Sequence, residues 1–381
     1  MNRYPIIVVA WALACPAFVA PQEASPAAAI ALEQQGKMPE AAEAWRAVIQ
    51  RNPRDAAAFA SLGVVLSKQQ KYQEAAAAYR KALALDPRLP GVQLNLGLAE
   101  FKQGHFGPAA SALKLALQAD PASAQARTLL GISCYGGKRY TEAIRYLEPA
   151  VASDPGNMEL RRLLAQSCLA ARNYACATEQ FRQLVEQSPD SAPTHVLMGE
   201  ALDGLGKTPE AIAEFEAAAR ISPNEPNVHF GLGYLYWKSQ QYDAARQEFE
   251  RELALDPKHA QALAYLGDVE WKDNAPGKAL PLLQRAIKAG DGLRIAYVDL
   301  GAIYLEQKNY KAAEEVLFEA VRLDPDQPDS HYQLGRLYQA LGKTAEAEKQ
   351  LHKVRELHEK ADSLAVKMNS SLPALAPAEN K

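Results

Sequence analysis

Two Gly-Lys-Thr triplets, Gly206-Lys207-Thr208 and Gly342-Lys343-Thr344, are the residues of this sequence closest to a phosphate-gripping loop. That chemistry needs a further glycine five positions earlier, so that successive backbone N–H groups can wrap a phosphate. Ala201 and Leu337 stand there instead. Both triplets therefore read as turns, in which glycine ends one helix, threonine caps the next and Pro209 takes the first helical position. The seven histidines lack metal-ligand spacing: His352 and His358 are six apart on a predicted helix, so they face different ways, and no His-Glu-x-x-His occurs. Gly-x-Ser-x-Gly and Gly-x-Gly-x-x-Gly are absent as well. Acids and bases are spaced as on a solvated helix surface. The sequence predicts no catalytic, metal or cofactor residues, no cofactor and no enzyme.

Cysteine chemistry is confined to four residues. Cys134 and Cys168 fit small buried positions. Cys168 and Cys176 are near enough to form a disulfide if the chain is exported. Cys15 lies within an N-terminal segment with its own character. Arg3 is followed by an apolar stretch from Tyr4 to Ala20 and then by a Gln/Glu/Ser/Pro segment, which reads as a signal peptide over residues 1–20 or as an N-terminal anchor. The stretch is short for a bilayer span and contains two prolines. Ala12-Leu13-Ala14 before Cys15 reads as a cleavage site; it also loosely matches a lipobox that would lipidate Cys15, although leucine belongs where Ala12 stands. An exported, periplasmic or envelope-associated protein is expected, touching membrane only through this segment if it is retained or lipidated.

The elements that position everything else come from a repeat. Alanine recurs at 41, 75, 109, 143, 177, 211, 245, 279, 313 and 347, always at an interval of 34 residues. Twelve positions earlier stand Ala29, Gly63, Gly97, Gly131, Ala165, Gly199, Gly233, Gly267, Gly301 and Gly335; twelve positions later stand prolines, interrupted only by Asp291 and Glu359. A unit of this length holds two helices of about 13 residues, each close to 20 Å long. Small residues are expected to face one another where the paired helices cross, and proline ends the second helix. Trp45, Tyr79, Phe181, Phe215 and Phe249, each four places after the column alanine, fill the space between. Short helices of this kind are marginal alone, so stability must come from stacking on neighbours. The 48% apolar and 23% charged composition suits a folded chain, and 42 basic against 45 acidic residues leave no basic stripe for nucleic acid.

The pattern Leu-Gly-x2-Tyr, then Ala-x3-Phe/Tyr-x2-Ala, then Pro resembles the tetratricopeptide repeat family, with Leu232-Gly233, Tyr236, Ala245, Phe249 and Pro257 as a good local example. The resemblance covers residues 22–361 and implies an all-α, right-handed superhelical solenoid of about ten repeats, starting near 22, 56, 90, 124, 158, 192, 226, 260, 294 and 328. Residues 362–381 are then the end of a capping helix and a flexible tail. It also implies that first helices line a concave surface, and that the protein is an exported bacterial scaffold binding protein or peptide segments there. A membrane-tethered or lipid-anchored envelope or pilus assembly factor is the alternative within this reading, and an enzyme with an unrecognised site the alternative of another class.

By register, that surface carries Phe230, Tyr234, Trp237 and Lys238, then Tyr265, Asp268, Trp271 and Lys272. Trp237 and Trp271 share one column and are expected to stack as neighbours. Aromatics flanked by charges are what a peptide hot spot requires; the same residues could simply pack between adjacent first helices. Two binding modes of the family find no match. No three consecutive first helices supply the Lys, Asn and Arg of the clamp for chaperone carboxyl termini. Of an asparagine ladder only Asn95 is present, against Ser61, Leu129, Leu163, Leu197 and Asp299 at equivalent places.

Overall fold

A computed structural model describes residues 25–370, apart from 226 and 291, with side chains through residue 363. The N-terminal segment read as a signal peptide or anchor, Cys15 and residues 371–381 lie outside the described residues. Among those described, helices are the only regular elements. The chain divides into two units, one ending at Ala171 and the other beginning at Arg172.

The first unit holds α1 (Pro26–Gln34), α2 (Met38–Arg51), α3 (Ala56–Lys68), α4 (Tyr72–Leu85), α5 (Val92–Lys102), α6 (Phe106–Ala119), α7 (Ala124–Gly136), α8 (Tyr140–Ser153) and α9 (Met158–Ala170). The second holds α10 (Tyr174–Gln187), α11 (Ala192–Gly204), α12 (Thr208–Ile221), α13 (Val228–Lys238), α14 (Tyr242–Leu255), α15 (Ala260–Lys272), α16 (Pro276–Ala289), α17 (Arg294–Glu306), α18 (Tyr310–Leu323), α19 (Pro328–Ala340) and α20 (Thr344–Ser370). Odd-numbered helices are the first of each repeat and even-numbered helices the second.

Local chemistry starts these helices. Asp55 accepts the Ala58 N–H at 2.9 Å, Ser123 that of Ala126 at 3.2 Å and Asn157 that of Leu160 at 3.1 Å, each satisfying a donor the helix leaves open. The turn inside each repeat is built on a left-handed residue. Gly36, Gly104, Gly206 and Gly342 occupy it, and so do Gln70, Lys138, Arg172, Gln240, Asn274 and Lys308, all with φ between 56° and 75°. There the chain folds back so that the following N–H closes the helix, as Lys71 N does on Leu66 O at 2.9 Å. In the Gly-Lys-Thr turn the glycine acts as expected, but Thr208 does not cap. It is the first residue of α12, which has no side-chain cap.

Packing corrects the expected meeting of small with small. A Cβ on Gly63 would lie 2.5 Å from the Tyr79 ring, and one on Gly233 would lie 2.6 Å from Phe249. The column glycine thus admits the bulky residue four places after the alanine; the alanine offers its backbone, as Ala109 O does 3.3 Å from where a Gly97 Cβ would be. Tyr79, Phe181 and Phe249 are accordingly among the largest fully buried side chains. Burying one such ring contributes up to about 3 kcal/mol. Cys134 is a buried free thiol, pushed up by burial, whereas Cys168 and Cys176 are each disulfide-bonded.

Candidate functional site

Within the second unit, α13, α15 and α17 are first helices of three successive repeats and pack side by side. Buried polar groups set the position of α13. His229 places Nδ1 2.6 Å from Glu248 Oε2 on α14, and Nε2 2.9 Å from the Pro223 carbonyl that ends the preceding repeat. His195 and His331 make the same pair of bonds one repeat before and three after, to Glu214 and Gln350 respectively and to Pro189 and Pro325. Buried Glu252 stands where neighbouring repeats have Ala218 and Ala286, and it accepts the Phe230 N–H at 3.1 Å. It supplies the open end of α13 with an acceptor that no N-cap side chain provides.

So held, α13 and α15 bring an aromatic set together. The rings of Trp237 and Tyr265 meet edge to face at 4.8 Å, Tyr234 meets Tyr265 at 5.5 Å, and Tyr234 stacks on Trp237 at 5.9 Å. Phe230 lies 4.9 Å from the His259 ring and 6.1 Å from Tyr265. Edge-to-face and offset contacts of this kind contribute about 0.5–1.5 kcal/mol each beyond burial. Phe230, Tyr234, Trp237 and Tyr265 all remain half-buried. They pack between helices and still present surface.

Beneath them lies an acid pair. Asp268 is buried, accepts Trp237 Nε1–H at 2.5 Å and is paired with the Lys272 ammonium. Lys272 Nζ also sits 5.1 Å from the Trp237 ring centroid and 5.7 Å from that of Tyr242, an attraction between cation and ring quadrupole. Asp299 of α17 is buried and hydrogen-bonded to Asp268, and its Oδ2 has no partner among the described residues. Burial, then the Asp268 charge, push Asp299 well above the usual carboxylate range, against the pull of Lys272. The ionised form of Asp299 is therefore disfavoured in the folded chain. Burial and the neighbouring Tyr234 and Asp268 push Tyr265 up to about 12. No group of three or more acids, histidines or cysteines able to hold a metal occurs among the described residues.

Repeat-family models described as tetratricopeptide repeat match residues 27–90, 94–157, 230–294 and 278–328, and, for a second such model, 136–199 and 304–367. A third, described as TPR repeat, matches residues 204–240. The chain belongs to the tetratricopeptide-repeat family. No curated protein matches it closely enough to count as a relative. Among solved structures, YrrB, described as a TPR protein with an unusual peptide-binding site, is 22% identical over 51% of this chain and 100% of its own, at a TM-score of 0.39. A MamA RS-1 ArsTM double mutant is 27% identical over 45% of this chain and 97% of its own, at 0.39. Naa15/Naa10 bound to HypK-THB is 15% identical over 88% of this chain and 63% of its own, at 0.48.

Tetratricopeptide register explains which expected site residues meet. Phe230, Tyr234, Trp237, Tyr265, Asp268 and Lys272 do. Trp271 packs instead with the aliphatic cluster of Leu263, Leu283 and Leu300, while Trp237 belongs to the cluster around Phe249 and Leu266. Trp237 finds Tyr265 and Asp268 across the repeat boundary because contacts between consecutive first helices run 31 residues apart, as Trp237 to Asp268 and Tyr135 to Gln166 do. Lys238 turns away, pairing with Asp203 of α11 at 2.7 Å. Sequence reasoning missed Asp299 as a site residue, though the same 31-residue step from Asp268 leads to it.

Proposed function

We propose that the protein is a non-catalytic scaffold that holds polypeptide segments of other proteins on the α13–α15 face of its second unit. As a tetratricopeptide-repeat chain it is a protein-interaction scaffold. The observation supporting this particular face is the half-buried aromatic set of Phe230, Tyr234, Trp237 and Tyr265, with ionic groups at its border. Rigid amphipathic rings beside polar groups give large contact area at little entropic cost. We further propose that it works outside the cytoplasm, exported by the segment over residues 1–20 or tethered through it; mass spectrometry of the purified N-terminus distinguishes cleavage, lipidation of Cys15 and retention. The experiment for the binding reading is selection from a random peptide display library by the full chain and by the Tyr234→Ala, Trp237→Ala double variant. Enrichment by the parent and loss in the variant at unchanged helicity is expected. Equal enrichment by both would place binding elsewhere.

A further inference from the structure

The near balance of 42 basic against 45 acidic residues conceals an uneven distribution. Residues 25–171 of the first unit carry 17 Lys and Arg against 12 Asp and Glu. Basic residues gather at the turns inside the first four repeats, residues 34–37, 68–71, 102–105 and 136–139, which contain no acid. These turns lie side by side. Gln69 donates from the second turn to the Met38 carbonyl at 2.8 Å, and Gln103 from the third to the Tyr72 carbonyl at 3.3 Å. A Cβ on Gly136 of the fourth would lie 2.7 Å from the Phe106 ring that follows the third. The turns thus form a fixed row that presents one unpaired ammonium per repeat: Lys37, Lys71, Lys102 and Lys138 are exposed and make no ion pair among the described residues. Acids bordering the row are already engaged, Glu33 with Lys68 at 3.5 Å, Glu74 with Arg46 at 3.0 Å and Glu142 with Arg139 at 3.5 Å. The N-termini of α2, α4, α6 and α8, none with a side-chain cap, add potential of the same sign. A row of like charges without counter-charges repels itself, and a partner of opposite charge relieves that repulsion.

We propose that this edge of the first unit binds an acidic polypeptide segment, extended across the turns with a carboxylate at about every third residue. Neighbouring repeats stand on the order of 10 Å apart, the spacing of packed helices, which an extended chain covers in three residues at about 3.3 Å each. Clefts between the turns give the segment room. One of about 340 Å³ is lined by Pro39, Gln69 and Lys71, and one of about 390 Å³ by Lys138, Tyr140 and Ala171. Duplex nucleic acid matches the row poorly, because it presents a charge about every 1.7 Å along its axis against one free cation per repeat here. Glu40, which lines the first cleft and is unpaired among the described residues, is the internal competitor for Lys71. This edge is separate from the α13–α15 face, and the inference does not depend on that face.

The test titrates the full chain at low salt with a synthetic twelve-residue peptide that carries aspartate at every third position among glycine and serine. Its asparagine counterpart should not bind, and a peptide with the same aspartates adjacent to one another should bind more weakly. Lys37→Gln, Lys71→Gln, Lys102→Gln and Lys138→Gln should each weaken binding about two- to fivefold, and together by more than about tenfold. Glu40→Gln should tighten it. Lys81 and Lys114 are exposed on α4 and α6, away from the turns. The Lys81→Gln, Lys114→Gln pair should therefore weaken binding far less than the Lys71→Gln, Lys102→Gln pair, although the lost charge is the same. Tyr234→Ala, Trp237→Ala should leave it unchanged. Equal losses in the two lysine pairs would overturn the inference. So would tighter binding of a single-stranded oligonucleotide, or of vesicles of anionic phospholipid, than of the spaced peptide. No binding of the spaced peptide would overturn it as well and leave the α13–α15 reading standing.

Discussion

Asp268 and Asp299, on the consecutive first helices α15 and α17, are buried carboxyls that bear on each other, so ionising both in the folded chain is disfavoured. The raised member is Asp299, chiefly through burial. An acid raised on folding binds its proton more tightly in the folded state. Its contribution to stability is complete below the ordinary aspartate value of about 3.9 and is lost as pH rises through the raised value. Asp299→Asn fixes the neutral form. Thermal midpoints measured from acid to neutral pH should therefore fall less with rising pH in the variant, and the variant should be the more stable at neutral pH. Parallel profiles would show that Asp299 does not hold the proton.

The left-handed turn gives a second expectation. Lys138 and Lys308 adopt φ of 57° and 60°, where a side chain costs roughly 1–2 kcal/mol relative to glycine. Lys138→Gly and Lys308→Gly should each raise the unfolding free energy measured in urea, by up to about 1 kcal/mol once the unfolded-state entropy of glycine is set against that cost. Gly104→Ala should lower it by about as much. A fall on Lys138→Gly would contradict the turn geometry.

Repeat architecture is legible in the sequence because its determinants are local: proline after eight of the ten second helices and a small residue at each crossing are visible in single columns. What the small residue admits was not, since Gly63 and Ala75 share a unit but the space is taken by Tyr79. The site was half legible. Register places Trp237, Tyr265 and Asp268 on first helices, yet the 34-residue column suggests Trp237 beside Trp271, whereas the stagger of neighbouring helices puts it on Tyr265 and Asp268. In sequence Asp299 stands out only as one place of the absent asparagine ladder; the packing of α15 and α19 on α17 buries it.

His229 tests how α13 is held. His229→Ala takes the imidazole from buried Glu248, which keeps Arg251 at 2.6 Å, and the donor from the Pro223 carbonyl, which together should cost about 1–3 kcal/mol. Glu248→Gln should be much milder, because His331 and Gln350 form the same contact in the last repeat. Chemical denaturation of both variants checks this; equal losses would count against the His–Pro carbonyl bond as the stronger tie.

For the cysteines, we propose that Cys168 and Cys176 pair with each other. A tryptic digest without reductant should yield residues 163–172 joined to residues 173–182, and the two separate peptides after reduction. Recovery of both peptides as free thiols from oxidised protein would refute the pairing.

Photo-crosslinking tests the central assignment most directly. A benzophenone amino acid is placed at Tyr234 on the α13 face or at Phe318, an exposed position on the second helix α18. Each protein is irradiated with a library-selected peptide. An adduct from position 234 and none from 318 is the predicted result. An adduct from position 318 alone would contradict the account.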